Sequence, residues 1–352
     1  MNREIFSYAT LNKLFRSSPT VHLSDKDKYV IFSDLHMGNG GKSDDFARNS
    51  DMFIQVLRDY YFPRGYTLVL NGDVEELQRF TLESIQQRWG TVYEVFDMFA
   101  REDRLYRLVG NHDLDLLFMQ NHNFDLLHSL NFDYKGDTVF IFHGHQTSQR
   151  YMKYNRALGL ALKYLSRPFG IRSSSVAHSS SKRFHTEKRV YQFSSRKKLL
   201  SIIGHTHRPL FESMSKIDTL KFEIERLCRK YPIAEDDKKQ RIAERIRRHR
   251  DELNYVQRHE ESSANRSSLY NANLVVPCMF NSGCVLGERG MTSLEIRKGT
   301  IALLYWFDAS RGKKYLQDRD YASKQLGDST YYRAVMKKDS LSYIFSRIRL
   351  LS

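Results

Sequence analysis

Short apolar runs recur along the chain and alternate with polar segments. Two of them, Ser293–Ile296 and Thr300–Trp306, flank Lys298–Gly299 and predict a β-hairpin. Helix-like patterns at Asp51–Tyr61 and Leu82–Phe99 lie between the first apolar runs. Five further runs rich in β-branched and aromatic residues predict buried strands: Tyr29–Ser33, Thr67–Leu70, Leu105–Val109, Thr138–Phe142 and Leu199–Ile203. This alternation of strands and helices predicts an α/β core.

A first segment, residues 148–198, interrupts the alternation and predicts an inserted helical cap. It opens with an amphipathic helix at Tyr151–Arg167, which has basic residues on one side and apolar residues on the other. The stretch that follows, Arg172–His185, is rich in Ser, His and Arg and is typical of a loop.

A second interruption, residues 216–261, predicts a helical hairpin. Apolar residues repeat at intervals of three and four on both sides of Pro232, as in a coiled-coil seam. The hairpin would pack on its own domain or on a second copy of the chain in a homodimer, and the alternative is that it contacts the substrate. We therefore expect one domain over residues 1–310 with these two insertions, and a basic C-terminal extension over residues 311–352.

The positive charge of the chain is concentrated in one segment. The net charge is +15, and between Gln146 and Leu200 there are thirteen basic residues and one acid, Glu187. A block of positively charged residues favours an anionic partner: a phosphorylated substrate, a nucleic acid or an anionic membrane surface. The alternative is that the block is simply a solvated surface. The candidate substrate-binding residues on the cap are Arg150, Lys153, Arg156, Lys163 and Arg167.

Nothing in the sequence predicts export or a membrane span. The three cysteines are too few and too far apart for a disulfide framework. No apolar core of signal-peptide length follows Met1, and the longest apolar run, Ile301–Phe307, is too short to cross a bilayer. The expected location is the cytoplasm, with the basic cap allowing peripheral contact with a membrane.

Candidate metal ligands stand at the end of each of the five predicted strands. They are Asp34, His36, Asp73, Asn111, His143, His205 and His207. Sites in α/β sheets assemble where strands run out into loops at one edge. If the backbone is extended, residues two apart point the same way, so Asp34 and His36 could share one ion, and His205 and His207 one pocket.

Imidazole and carboxylate ligands without thiolate suit Mn²⁺, Fe, Zn, Co or Ni. Seven ligands are too many for one ion and fit two, if one carboxylate bridges them. Two such ions can bind phosphate oxygens and hold a bridging hydroxide that attacks phosphorus. The sequence thus predicts a phosphoesterase in which His112 protonates the leaving oxygen and Asp113 orients His112.

These motifs resemble the calcineurin-like metallophosphoesterase superfamily. Its string of D-x-H, G-D, G-N-H-[DE], a lone His and G-H-x-H stands here at Asp34–His36, Gly72–Asp73, Gly110–Asp113, His143 and Gly204–His207. The resemblance implies a four-layer αββα sandwich with two divalent ions, Mn²⁺ above all. It also implies that Asp73 bridges the ions and that His112 is the catalytic histidine. Asp34, His36 and His207 would bind one ion, and Asn111, His143 and His205 the other.

Within the superfamily the layout is most similar to the UDP-2,3-diacylglucosamine pyrophosphatase branch. That branch also has an acid three residues after the bridging Asp, here Glu76, and a basic helical cap before the last motif. It usually has Arg at the position of His112 and Gly-Asp where this chain has Gly144-His145. The resemblance implies a lipid-linked or nucleotide-linked phosphate or pyrophosphate as substrate.

Two other functions stay open. A metal-dependent nuclease or phosphodiesterase acting on nucleic acid would also use a basic cap, and its binding would weaken steeply with salt. A non-catalytic interaction protein that kept the metal fold would bind metal and turn over no phosphoester. The complete set of seven ligands favours the enzyme.

Overall fold

The computed structural model describes most of the chain and divides it into two compact units. The described residues are 3–119, 122, 124–148, 180–213, 220, 223–224, 227–228, 230–261, 276–288, 290–311 and 323–352. One unit comprises Met1–Glu212 and Pro277–Leu350, and the other comprises Ser213–Val276.

Thirteen strands and seven α-helices lie in the described residues. In chain order they are α1 (Arg3–Ser17), β1 (Thr20–His22), β2 (Lys28–Phe32), α2 (Ser50–Gln55), β3 (Thr67–Asn71), α3 (Leu82–Arg88), α4 (Gly90–Ala100), β4 (Leu105–Leu108), β5 (Leu126–Leu127), β6 (Ser129–Tyr134), β7 (Asp137–Phe142), α5 (Ser180–Lys197), β8 (Leu200–Ile203), α6 (Asp236–Glu261), β9 (Met279–Asn281), β10 (Gly290–Arg297), β11 (Thr300–Asp308), β12 (Ser323–Gln325), β13 (Tyr331–Ser340) and α7 (Leu341–Leu351). Helix α6 belongs to the smaller unit.

The strands form two mixed sheets in the larger unit. The large sheet has the order β12-β13-β11-β10-β2-β3-β4-β5, and its strands β2 to β5 run parallel. The small sheet has the order β1-β6-β7-β8-β9, in which β7, β8 and β9 run parallel. The sheets meet face to face, since the rings of Tyr29 on β2 and Phe132 on β6 lie 4.4 Å apart.

Helices cover the outer face of each sheet. On the large sheet, α2 and α4 pack over the strands, and the Phe53 ring meets the Phe32 ring edge-on at 5.3 Å. On the small sheet, Leu11 of α1 and Phe193 of α5 are buried against Phe140 of β7. Because both faces are covered, the central parallel strands are continuously apolar. The predicted four-layer αββα sandwich is confirmed.

The predicted strands and hairpin occur, and their ends differ from the predicted ends by at most three residues. Strands β2, β3, β4, β7 and β8 match the five apolar runs, and β10 pairs with β11 antiparallel. The hairpin turn has positive φ at both Lys298 and Gly299, as a two-residue type I′ turn requires.

The helices differ more from the sequence prediction. The single helix expected at Leu82–Phe99 is two helices broken at Trp89, whose Nε1 donates to the Gly38 carbonyl at 2.9 Å. Helix α2 continues past Gln55 as a π-helical turn, Val56–Tyr61. The loop expected up to His185 was wrong from Ser180 onward, because α5 already begins there and packs its apolar side on the small sheet.

Residues 323–352 contribute to the large sheet. Strand β13 pairs with β11 along its whole length, β12 adds the sheet's edge, and α7 buries Ile344, Phe345 and Ile348. The amphipathic cap helix at Tyr151–Arg167 and most of the first hairpin helix lie outside the described residues. Within the part of the chain that the structure describes, no helix is long and apolar enough to span a membrane.

Candidate metal centre

The loops after five strands bring the predicted ligands together. The large sheet contributes Asp34 and His36 after β2, Asp73 after β3 and Asn111 after β4, and the small sheet contributes His143 after β7 and both His205 and His207 after β8. In each sheet these strands are parallel neighbours, so their carboxyl ends meet at one edge. The side chain of Asn71 donates to the Phe142 carbonyl at 3.2 Å and joins the two edges.

Most of these ligands sit on left-handed backbone. Asp34, His36, Asp73, His205 and His207 all have φ between 47° and 63°. Such a conformation costs about 1–3 kcal/mol for a residue other than glycine and persists only where its surroundings hold it. The extended backbone assumed for the Asp-x-His and His-x-His pairs was therefore wrong. His205 and His207 do not share one pocket, but point into two adjoining clusters.

Glycines between the ligands allow the loops to approach one another. A Cβ on Gly110 would overlap the carboxylate of Asp73, and a Cβ on Gly204 would lie 2.6 Å from Asp34 Oδ2. A side chain at either position would therefore displace a candidate ligand.

The first cluster consists of Asp34, His36 and His207, whose ligand atoms all lie within 4.8 Å of one another. His207 Nε2 is 3.1 Å from Asp34 Oδ1 and 3.1 Å from His36 Nε2. Burial lowers the pKa of His36, which favours the neutral ring. Two ring nitrogens at this distance repel each other unless a cation or a proton lies between them, so the geometry fits a metal ion.

The second cluster consists of Asp73, His143 and His205, again within 4.8 Å. His143 Nδ1 donates to the Asn71 carbonyl at 2.8 Å, which turns its Nε2 toward Asp73 Oδ2 at 3.0 Å. Burial and the nearby His143 lower the pKa of His205 to about 3, so this ring is neutral. For His143, burial is outweighed by Asp73 and Asp34, which raise its pKa to about 9. The carboxylates thus attract a cation to this cluster.

Asp73 belongs to the second cluster and also approaches the first. Its Oδ2 is 3.0 Å from His143 Nε2 and 3.7 Å from His36 Nε2. Asn111 Oδ1 is buried and accepts no hydrogen bond from the described part of the chain, which leaves it free to bind a metal. Two carboxylates, four imidazoles and one amide oxygen form a donor set that fits divalent transition metals.

Glu76 links the first cluster to the predicted proton donor. Its Oε2 is 3.0 Å from His36 Nδ1, and its Oε1 is 2.8 Å from His112 Nδ1. A carboxylate accepts from both Nδ1–H groups and so fixes the tautomer and orientation of both rings. Glu76 was noted in the sequence only as part of a motif, and its role depends on contacts with two other loops.

The expectation that Asp113 orients the His112 ring was wrong. Asp113 Oδ1 accepts from the Gly110 backbone N–H at 2.6 Å, and its Oδ2 accepts from the Val74 backbone N–H at 2.7 Å. Asp113 therefore joins the loop after β4 to the loop after β3. Burial and the nearby carboxylates of Asp73 and Glu75 raise its pKa to about 7.

His112 stands at the edge of the site, with its side chain 12% exposed. Its backbone N–H donates to Asp73 Oδ1 at 2.8 Å. Burial disfavours the charged ring, but Asp73 and Glu76 outweigh it and raise the pKa of His112. The ring is thus suited to carry a proton near the clusters.

His145 is a further histidine in the site that the sequence analysis did not select. Its ring is buried, 5.4 Å from the His143 ring and 6.3 Å from the His205 ring. Burial and the neighbouring His143 hold the pKa of His145 well below its usual value, so the ring is neutral. The predicted substrate-binding residues lie outside the described residues: Arg150, Lys153, Arg156, Lys163 and Arg167.

Comparison with known proteins supports the chemistry that the geometry indicates. A family model described as calcineurin-like phosphoesterase matches residues 28–209, which is more than half of the chain. A comparison with curated protein sequences found no match.

Two solved structures match this chain at low sequence identity and low TM-score. One is Yfce, a phosphoesterase from E. coli, at 11% identity and a TM-score of 0.34, covering 89% of this chain and 99% of that one. The other is a conserved uncharacterized protein from Streptococcus pneumoniae TIGR4, a predicted phosphoesterase, at 11% identity and a TM-score of 0.29, covering 81% and 91%. At these TM-scores neither structure adds to the family match.

Proposed function

Since the chain belongs to the calcineurin-like phosphoesterase family and is a metal-dependent phosphoester hydrolase, we propose that it works with two divalent metal ions. The observation that carries this proposal is the pair of adjoining clusters, in which Asp73 Oδ2 lies within 3.7 Å of His36 Nε2 in the first and 3.0 Å of His143 Nε2 in the second. Asp34, His36 and His207 would hold one ion, and His143 with its neighbours the other. His205 and Asn111 would complete the second set, and Asp73 would be the carboxylate shared by both sets.

The donor set suits Mn²⁺, Fe, Zn, Co or Ni, and we propose Mn²⁺ because the resemblance to the superfamily implies it. When bound, such ions lower the pKa of water and neutralise phosphate charge. The contribution of the chain is to fix the ligand rings. His143 donates from Nδ1 to a backbone carbonyl and His36 donates from Nδ1 to Glu76, so both keep Nε2 for coordination.

Protonation of the leaving oxygen falls to His112. The Glu76 carboxylate at 2.8 Å holds His112 Nδ1, which leaves Nε2 to deliver the proton. Asp73 and Glu76 favour the protonated ring. Glu76 therefore supports both metal binding and proton transfer, because it orients the metal ligand His36 and the proton donor His112.

The substrate that we propose is a lipid-linked or nucleotide-linked phosphate or pyrophosphate, as in the UDP-2,3-diacylglucosamine pyrophosphatase branch. Support comes from the basic block between Gln146 and Leu200. Arg189, Arg196 and Lys198 of this block line a surface cavity of about 570 Å³ between α1 and α5, whose described lining residues include none of the candidate metal ligands. A lipid-linked substrate would bring this basic surface to an anionic membrane.

The test combines metal content with turnover. The purified protein is stripped with a chelator, reloaded with Mn²⁺, and its bound metal is counted by mass spectrometry. Hydrolysis is then measured on bis-p-nitrophenyl phosphate, p-nitrophenyl phosphate, UDP-2,3-diacylglucosamine and single-stranded DNA. We expect about two ions per chain and Mn²⁺-dependent turnover, with UDP-2,3-diacylglucosamine preferred.

Matched variants separate the site from general damage. Asp73→Asn should lower turnover by at least about 100-fold, because it removes the bridging charge. Asp59→Asn makes the same change in an exposed ion pair with Arg58 and should leave turnover intact. Preference for single-stranded DNA, with binding that weakens steeply with salt, would replace the proposed substrate by a nucleic acid. One ion per chain, or turnover without metal, would refute the two-ion proposal.

A further inference from the structure

One acidic residue stands within the basic block, and it is buried. Glu187 on α5 is 2% exposed, although thirteen basic residues surround it in sequence between Gln146 and Leu200. A buried carboxylate is costly unless charged or polar partners compensate it. The partners of Glu187 therefore indicate what the residue does.

Those partners lie on the loop that carries two candidate metal ligands. Glu187 Oε1 accepts from Thr206 Oγ1 at 3.0 Å and from Arg208 Nε at 3.2 Å, and its Oε2 accepts from Arg208 Nη2. Thr206 and Arg208 are the two neighbours of His207 in sequence. Helix α5 is thus bound to the ligand loop on both sides of His207.

A second strand end extends the same network. Asn281, at the end of β9, donates from Nδ2 to Thr206 Oγ1 at 2.8 Å and to the Gly204 carbonyl at 3.0 Å. Its Oδ1 accepts from the Gly283 backbone N–H at 2.8 Å. The Thr206 hydroxyl accepts a hydrogen bond from Asn281 and donates one to Glu187. The three side chains therefore form a continuous hydrogen-bonded chain in which each donor has an acceptor.

The network holds a segment whose backbone is strained. His205 and His207 have φ of 63° and 55°, and the residues that alternate with them, Gly204, Thr206 and Arg208, make the contacts. Left-handed residues keep their conformation only where neighbouring contacts hold it. Because His205 belongs to one metal cluster and His207 to the other, a shift of this segment would disturb both clusters.

We infer that Glu187 is a positioning residue through which helix α5, on the outer face of the small sheet, holds the His205–His207 loop in the geometry that binds metal. This inference rests on the proposed metal centre. It assigns to α5 a structural role in the metal site, in addition to its packing on the small sheet.

The test measures metal affinity separately from fold stability. Mn²⁺ dissociation constants are determined by calorimetric titration for the stripped full-length protein and for Glu187→Gln. The matched control is Glu295→Gln. Glu295 lies on strand β10, is also buried, and accepts hydrogen bonds from Arg333 at 2.7 Å and 3.2 Å. Thermal midpoints are recorded with and without Mn²⁺.

We expect Glu187→Gln to weaken Mn²⁺ binding by about 10- to 100-fold, the range typical of residues that support metal ligands. Glu295→Gln should lower the metal-free thermal midpoint and change Mn²⁺ affinity by less than about threefold. Thr206→Val, which removes the hydroxyl between Glu187 and Asn281, should also weaken Mn²⁺ binding and provides the answer if Glu187→Gln fails to fold.

The outcomes separate this inference from the proposed function. Unchanged Mn²⁺ affinity in Glu187→Gln and Thr206→Val, with a normal wild-type site, would overturn the positioning role and leave the metal centre intact. Equal loss of affinity in Glu295→Gln would assign the effect to general destabilisation and also overturn it. Absence of metal binding in the wild type would overturn the metal centre itself.

Discussion

Replacing Glu76 by Gln tests the contact that joins the metal ligand His36 to the proton donor His112. The two Glu76 oxygens lie 3.0 Å and 2.8 Å from the Nδ1 atoms of these rings, and Glu76 is 4% exposed. Gln keeps one acceptor oxygen and presents an N–H₂ group to the other ring. One hydrogen bond to a charged acceptor is lost, which corresponds to about 1.5–3 kcal/mol. This converts to about a 10- to 100-fold effect at 1.4 kcal/mol per factor of ten.

The assay shows which ring loses its partner. If the amide nitrogen faces His36, the ring moves its proton to Nε2 and the Mn²⁺ dissociation constant rises. If it faces His112, Mn²⁺ affinity is kept and kcat on bis-p-nitrophenyl phosphate falls. Calorimetric titration with Mn²⁺ and steady-state kinetics under metal saturation measure the two effects separately.

Asp113→Asn is the comparison, because Asp113 was the orienting residue expected from the sequence. Its oxygens accept from the Gly110 and Val74 backbone N–H groups, so Asn should lower the thermal midpoint of the metal-free protein. Two results would refute the assignment to Glu76. One is Glu76→Gln with Mn²⁺ affinity and kcat within threefold of wild type. The other is Asp113→Asn with an unchanged midpoint and the larger loss of kcat.

Three further predictions follow from the same contacts. His207→Ala should reduce bound Mn²⁺ from two ions to one per chain by mass spectrometry, and a retained stoichiometry of two would contradict the division into clusters. Gly110→Ala should abolish Mn²⁺ binding in a calorimetric titration, because the new Cβ overlaps a ligand carboxylate, whereas Gly90→Ala, with nothing within 4 Å, should bind normally. Arg333→Met should lower the free energy of unfolding in urea by about 3–5 kcal/mol, because it leaves Glu295 charged and buried, and a loss below about 1 kcal/mol would contradict this.

The sequence predicted the central strands and the positions of the ligands for a common physical reason. Strands buried on both faces must be continuously apolar, so β2, β3 and β8 are visible as runs. Where such a run ends, the chain reaches the sheet edge, and Asp or His at that point is placed in the crevice. Both the apolar run and the Asp or His that follows it are local in sequence, so a single strand with its following loop is enough to predict a ligand position.

The edges of the fold and the start of α5 lack such a local signal. Strand β13 is largely half-buried and carries Lys and Arg, so its pattern does not differ from that of a polar extension. The first turns of α5 contain Ser, Lys and Arg, which are typical of a loop by composition. Packing of Val190 and Phe193 on the small sheet stabilises the helix, and that packing depends on the tertiary fold.

The residues that support the ligands were the least predictable part of the site, and the strain in the ligand loops explains why. A ligand must follow its own strand, whereas a side chain that holds a left-handed loop has only to reach it in space. Glu76 reaches His112, 36 residues away, and Glu187 reaches Thr206 from helix α5. Charge patterning did not identify Glu187, because a block of one charge sign favours an anionic partner and does not show that its one acid is buried. Substitutions at these supports should therefore change metal affinity more than they change the fold, whereas substitutions in the apolar strands should do the reverse.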